Sequence, residues 1–149
     1  MSSDRKNTVG QGSTGLSLIE LLVVLAIIAI LAGTALVYIN TDGYRLRTEA
    51  NNLKSTFQEA RMEAVKRNES ASVKLWTQQY ETSAGAVVDL SPHDLSLSFS
   101  GGGSLPAGGY TITFSPLGTA PESHYHLKNT SDDSISIRIN SVGTIWLEK

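Results

Sequence analysis

The feature that most constrains this chain is an unbroken apolar run entered through a single carboxylate. Glu20 stands at its head, and from Leu21 to Ile39 there is no charged residue and no proline. At ~1.5 Å per residue that run makes a helix of about 28 Å, close to the ~30 Å hydrocarbon core of a bilayer. A soluble core helix of this length carries a polar face, whereas this one offers only Gly33 and Thr34. The segment belongs in a membrane or in an assembly that resembles one. An acidic side chain well inside a bilayer costs roughly 2.5–3.5 kcal/mol on insertion scales. Glu20 therefore needs a compensating partner and is a candidate functional residue.

The residues upstream have a different character. Met1 to Gly15 is polar, carries Asp4, Arg5 and Lys6, and ends on a glycine. Gly15-Leu16-Ser17-Leu18-Ile19-Glu20, running into the apolar helix, resembles the N-terminal signature of the type IV prepilin class. That signature is glycine, a hydrophobic residue, two or three uncharged residues and a glutamate. The resemblance implies a prepilin peptidase that cuts between Gly15 and Leu16 on the cytoplasmic side and methylates the new Leu16 amine. Glu20 would then be the fifth residue of the mature chain. The first mature residue of the class is usually phenylalanine, and Leu16 departs from that.

The spacing has a physical logic. A freed Leu16 amine is a cation at a helix N-terminus, and Glu20 lies four residues on, over the same helical face. A carboxylate near a helix N-terminus is also favoured by the macrodipole. The resemblance implies that the decisive pairing is with the amine of a neighbouring subunit. Because an unpaired buried charge is costly, such a pair selects one axial register during assembly.

An ordinary secretory signal is the rival reading. Gly33-Thr34-Ala35 would serve as a small-x-small cut site and release a chain beginning at Leu36. The long polar start and Glu20 at the edge of the apolar run speak against it. Charge does not orient the span by itself, since Arg5 and Lys6 precede it while Arg45, Arg47 and Lys54 follow it. A single pass across the bacterial inner membrane, with the C-terminal head in the periplasm, is what the resemblance implies.

At 149 residues the chain is in the one-domain range. Removing a leader that holds Arg5 and Lys6 against Asp4 takes the net charge from −2 to −3. That mild acidity argues against a broad nucleic-acid-binding surface, which would show as clustered Lys and Arg. There is no cysteine, so a disulfide, a thiolate nucleophile and a cysteine metal site are all excluded. Many major pilins of the resembled class close their C-terminal region with a disulfide, and this chain cannot.

Beyond the apolar run, Asn40-Thr41-Asp42-Gly43 is a polar punctuation of the kind that caps or kinks a helix. Helical periodicity then resumes, with Leu46, Ala50, Leu53, Phe57, Ala60 and Ala64 at steps of four and three along one face. Arg45, Arg47, Lys54, Glu59, Glu63 and Arg67 lie mostly off that stripe, and Glu63–Arg67 is a favourable i,i+4 pair. The helix should end near Asn68. Short runs of strand character follow at Ala71–Trp76, Ala86–Leu90, Leu95–Phe99, Tyr110–Phe114, Tyr125–Lys128, Ile135–Ile139 and Thr144–Leu147. Asn140-Ser-Val-Gly143 is a plausible hairpin connection between the last two. Adjacent short strands imply antiparallel sheet with one face against the Leu46–Ala64 stripe. The expected fold is α+β, a long N-terminal helix with a membrane half and an amphipathic half, packed on an antiparallel β-sheet head. The expected divisions are a leader over 1–15, a transmembrane or filament-core helix over 16–39, an amphipathic half over 40–68 and a periplasmic β-rich head over 69–149.

The tail narrows the resemblance. Glu59-Ala-Arg-Met-Glu-Ala-Val-Lys-Arg-Asn68, leading into Ser72–Trp76, is similar to the helix end of the minor pseudopilin H and FimT-like pilin group. Phe114-Ser-Pro-Leu-Gly118 resembles that group's phenylalanine-x-proline-x-glycine element, and Ile137–Ile145 its closing hairpin with an internal glycine. The resemblance implies a minor subunit near the tip of a periplasmic pseudopilus in type II secretion, or of a type IV pilus. Its partners would be other major and minor pseudopilins, the prepilin peptidase and an inner-membrane assembly platform. FimT-like proteins implicated in DNA uptake carry an arginine just after the closing glycine. Here Gly143 is followed by Thr144, Ile145 and Trp146, with Arg138 and Lys149 the nearby cations in sequence. Two cations are few for phosphate contacts, which favours the secretion subunit over a DNA receptor.

Other candidate sites are weaker. His124-x-His126 places two imidazoles on one face of a strand, but no third zinc ligand has an evident spacing. Asp132 and Asp133, within Asn129–Ser134, could line a calcium loop, and a polar turn explains them equally well. Asp89, His93 and the serines form no nucleophile elbow. Trp76 and Trp146 suit sheet packing. No cofactor, metal or enzymatic activity is expected.

Overall fold

The computed structural model describes residues 17–37 and 41–149, with side chains over 17–31 and 42–149. The chain divides into two compact units, Met1–Ile39 and Asn40–Lys149, each taken by itself below.

In the first unit, helix α1 covers Leu18–Val37. Its first turn is closed by the Ser17 carbonyl, which accepts the Glu20 N–H at 2.9 Å and the Leu21 N–H at 3.1 Å. Glu20 thus falls in the turn where unpaired backbone N–H groups favour a carboxylate. Every large apolar side chain from Leu18 to Leu31 is exposed, from 45% at Val24 to 80% at Leu18. Among the described residues no helix is long and apolar enough to cross a membrane. Leu18 to Leu31, where the described side chains stop, amounts to about 21 Å of helix. The span expected over 16–39 therefore falls partly outside the described residues, as do the leader, Gly15, Leu16, and Asn40 of the polar punctuation.

The second unit opens with helix α2, Thr41–Arg67. Thr41, Asp42 and Gly43 begin this helix, and Asp42 supplies the acidic group of its first turn. Leu46, Ala50, Leu53, Phe57, Ala60 and Ala64 are all at most 3% exposed, so the periodic stripe is the buried face. The helix stops where the sequence indicates. Asn68 adopts a left-handed conformation at φ 55°, and the Glu69 N–H returns to the Ala64 carbonyl at 3.2 Å, a geometry that asparagine tolerates. Glu63 and Arg67 pair at 2.9 Å.

Eight strands follow in chain order. They are β1 Ala71–Leu75, β2 Gln79–Glu81, β3 Val87–Asp89, β4 Ser96–Phe99, β5 Tyr110–Phe114, β6 Ser123–Lys128, β7 Ser134–Ile139 and β8 Ile145–Glu148. A 3₁₀ turn, Ser91–His93, joins β3 to β4. They form two four-stranded antiparallel sheets, in the orders β3-β2-β1-β5 and β4-β6-β7-β8. Helix α2 packs on β1 of the first sheet and on β7 and β8 of the second. Inward residues alternate along each strand, as in Val73 and Leu75, Ile112 and Phe114, Tyr125 and Leu127, or Ile137 and Ile139. Phe57 sits between the sheets, its ring centroid 6.4 Å from both Phe114 and Tyr125.

Two details differ from the sequence expectation. The single sheet facing the helix stripe is two sheets, with the chain crossing between them after β3, after β4 and after β5. Strand β2 is absent from the expected strands because only three residues pair and only Tyr80, 2% exposed, is inward. So short a run leaves no periodic signal.

Candidate functional site

Two places concentrate the sequence motifs. The first is the entry to α1. Gly15 and Leu16 lie outside the described residues, so the pairing of a Leu16 amine with Glu20 does too. Glu20 itself is exposed in the first turn of α1, surrounded by exposed apolar side chains.

The second place joins motifs far apart in sequence. Arg61, from the C-terminal half of α2, donates from Nε to the Gly118 carbonyl at 2.9 Å and from Nη2 to the Val142 carbonyl at 3.2 Å. Gly118 closes the turn after β5, where its N–H meets the Ser115 carbonyl at 2.8 Å. Gly143 closes the turn between β7 and β8, its N–H on the Asn140 carbonyl at 2.8 Å. Both glycines have positive φ, 75° and 73°. A Cβ on Gly143 would overlap the Gly118 carbonyl oxygen and come within 3.0 Å of Arg61 Nε. The helix-end motif, the Phe114–Gly118 element and the closing hairpin therefore meet at one guanidinium. Sequence spacing could not disclose this, because Arg61 and Val142 are 81 residues apart.

Four exposed apolar side chains surround that point. Met62 and Val65 come from α2, and Leu117 and Val142 from the two turn tips, at 64%, 53%, 86% and 58% exposure. Near the closing glycine, Arg138 is paired with Glu148 at 2.8 Å. The cation that does reach Gly143 is Arg61, which sequence proximity missed and which is engaged by two carbonyls.

The remaining candidates resolve into local structure. His124 and His126 lie on one face of β6 with ring centroids 5.2 Å apart. Across the ladder they face Arg138 and Ser136, and His126 Nδ1 is 3.1 Å from the Ser136 hydroxyl. Burial first, then Arg138 and His126, hold the His124 imidazole below its usual value. Among the described residues no three His, Cys, Asp or Glu side chains are placed to hold a metal. In the Asn129–Ser134 turn, the Asn129 side-chain oxygen accepts the Asp133 N–H at 2.9 Å. Asp132 pairs with Lys128 at 2.8 Å, which holds its carboxyl below the usual range. Trp76 lies under the Lys74 ammonium at 4.8 Å and against Gly109, where an added Cβ would come within 2.7 Å of both side chains. Trp146 is partly exposed on β8. A cleft of about 590 Å³ between the start of α2 and the ends of β7 and β8 is lined by Leu46, Arg47, Ile135, Leu147, Glu148 and others.

An amphipathic helix on two antiparallel sheets, with an apolar helix in a separate unit headed by a glutamate, defines a pilin-like α+β protein. The prokaryotic N-terminal methylation motif matches residues 11–36. The family described as type II transport protein GspH matches residues 49–143, from within α2 to the glycine beneath Arg61, and the chain belongs to that family. Among solved structures it is similar in fold to the type IV minor pilin FimU of Pseudomonas aeruginosa strain PAO1, with a TM-score of 0.56. The identity is 20%, covering 73% of this chain and 92% of that one. No match was found among curated proteins.

Proposed function

We propose that the chain is a minor pseudopilin of a type II secretion pseudopilus, with a structural role in protein export across the outer membrane. In this reading a prepilin peptidase cuts between Gly15 and Leu16 and methylates Leu16. The apolar helix anchors the precursor in the inner membrane with its head in the periplasm, until the assembly platform passes it into the filament. The observation that carries the reading is α1, which exposes all its large apolar side chains from Leu18 to Leu31 and bears one charge, Glu20, in its first turn. Left in water such a surface is strongly unfavourable, at roughly 25 cal/mol per Å². A bilayer covers it before assembly, and the helices of neighbouring subunits cover it afterwards. Glu20 then meets the methylated amine of a neighbour and fixes the axial register.

Two measurements test this. Mass spectrometry of the mature protein should find N-methylated Leu16 at the N-terminus; a chain beginning at Leu36 would mark a secreted domain instead. Glu20→Ala should still be cleaved and inserted but should crosslink poorly to other subunits. Normal incorporation of that variant would remove the register role.

The fold likeness to FimU keeps a second reading in view, a FimT-like minor type IV pilin in pilus assembly or DNA uptake. The pairing of Arg138 with Glu148 and the engagement of Arg61 by carbonyls speak against DNA. Submicromolar DNA binding at low salt, or loss of pili rather than of secretion on deletion, would favour that second reading.

A further inference from the structure

The cleft between the start of α2 and the ends of β7 and β8 has the size and the mixed lining of a ligand site. Its volume of about 590 Å³ lies within the ~300–1,000 Å³ of ordinary small-molecule sites. The floor is apolar, made by Leu46, which is 3% exposed, and by the partly buried Ile135 and Leu147. The β7–β8 register pairs Ser136 with Glu148, so the next residues along, Ile135 and Lys149, come abreast at the open end. The rim is charged in both signs, with Arg47 and Lys149 against Asp133 and Glu148. Among the described residues Arg47, Lys149 and Asp133 enter no ion pair, while Glu148 is held at 2.8 Å by Arg138.

Chain length ties this cleft to the apolar run. Gly43 lines the cleft and stands four residues beyond Ile39, the last residue of the run. Four residues are a contour of at most about 14 Å. Tyr38 and Tyr44 bracket the end of the run, and Arg45 and Arg47 follow it. Tyr44 also lines the cleft and is 73% exposed. Aromatic rings and long cations of this kind settle at the level of lipid headgroups, the ring in the interface and the charge in water. With the apolar run in a bilayer, the lining residues of the cleft are within reach of the headgroup layer. A rim of cations alone would select an anionic headgroup; a rim with two charges of each sign selects a zwitterion.

We propose that this cleft binds the headgroup of a zwitterionic phospholipid that carries a primary ammonium, while the chain is anchored in the bilayer. Arg47 suits the phosphate, because its planar fork donates two parallel hydrogen bonds to an oxyanion. Lys149 adds a second cation beside it. Asp133 suits the ammonium, whose N–H groups need acceptors. A choline headgroup has the same charges but no N–H to donate, and a glycerol headgroup brings no cation to Asp133. Leu46, Ile135 and Leu147 cover the glyceryl unit and the first methylenes of the acyl chains, and each buried methylene tightens the fit. The site is complete within one chain and needs no second copy. It rests on the anchored reading for the presence of the lipid, and on the cleft alone for the chemistry of binding.

Full-length protein in dodecyl maltoside, an uncharged detergent, is mixed with equal amounts of phosphatidylethanolamine, phosphatidylglycerol and phosphatidylcholine. Native mass spectrometry then counts the lipid retained on each molecule. Phosphatidylethanolamine should be retained over each of the others by about fivefold or more, as hydrogen bonds to charged groups provide. Arg47→Gln should remove most of that retention, whereas Lys54→Gln, on the same helix but outside the cleft lining, should not. Asp133→Asn should abolish the preference over phosphatidylglycerol. Arg47 and Asp133 are both exposed, and unchanged melting temperatures of their variants separate loss of binding from loss of fold. Glycerophosphoethanolamine, the same headgroup without acyl chains, should displace the lipid only at much higher concentration. Displacement at equal concentration would make the ligand a soluble phosphoethanolamine and overturn the lipid assignment. Equal retention of the three lipids, a preference for either of the others, or indifference to both cleft variants would overturn the proposal. Protein that shows the preference in detergent but is absent from the membrane fraction of cells would leave the cleft chemistry standing and count against the anchoring reading.

Discussion

Gly143 shows how much can hang on one hydrogen atom. Its φ of 73° is a conformation that costs other residues about 1–2 kcal/mol. Its Cα also faces the Gly118 carbonyl with no room for a methyl group. Gly85 has a similar φ of 81° but open space where a Cβ would go. Gly143→Ala should therefore lower the denaturation midpoint well beyond Gly85→Ala, which carries the backbone cost alone. Equal effects would mean that the clamp around Arg61 contributes nothing. His124 gives a second test at this scale. Its Nε2 is sequestered with no hydrogen-bond partner among the described residues, and its imidazole is held below the usual 6.5, chiefly by burial. The unfolded chain then binds that proton more readily than the native one. The contribution of neutral His124 is full above the usual value and is lost as pH falls below it. Urea midpoints followed from about pH 7.5 down to about 5.5 should decline less steeply for His124→Gln than for the parent chain.

The elements differ in how plainly the sequence declares them. The buried stripe of helix α2 and its C-terminal end were legible, because the stripe repeats over five turns and Asn68 supplies the stop, whereas Thr41–Gly43, expected as a punctuation, form the first turn. Phe57 lies at the centre of that stripe against Phe114 and Tyr125. Phe57→Ala should cost about 3–5 kcal/mol in chemical unfolding, as deletion of a buried aromatic does. A loss under ~1 kcal/mol would show that the sheets close over the gap. Strands with two or more inward apolar residues were also legible, and Tyr110–Phe114 falls where expected. Strand β2 was not, since one tyrosine among polar neighbours carries no alternation. The division into two sheets was hidden as well, because alternation reports which face is inward and not which sheet a strand joins.

At the scale of the molecule, the two units make opposite demands on their surroundings. Asn40–Lys149 has its own core of helix and two sheets, while α1 exposes its apolar side chains. A chain of residues 41–149 should therefore fold in aqueous buffer and show a cooperative melt. The full-length chain should fractionate with membranes or need detergent. Failure of the shorter chain to fold would mean that the head cannot stand on its own core. The same contrast explains why a pilin-like subunit can hold a stable head while keeping its helix for other partners.

The sequence alone determined the apolar helix and its lone carboxylate, the amphipathic helix that follows, the α+β class and the positions of the closing turns. Each of these is a local pattern, fixed by spacing along the chain and by the few residues that tolerate a positive φ. Only the tertiary structure decided that Arg61, Gly118 and Gly143 meet. It also decided that His124 faces Arg138. Those are relations between distant residues, set by which strands pair and which helix face the sheets enclose.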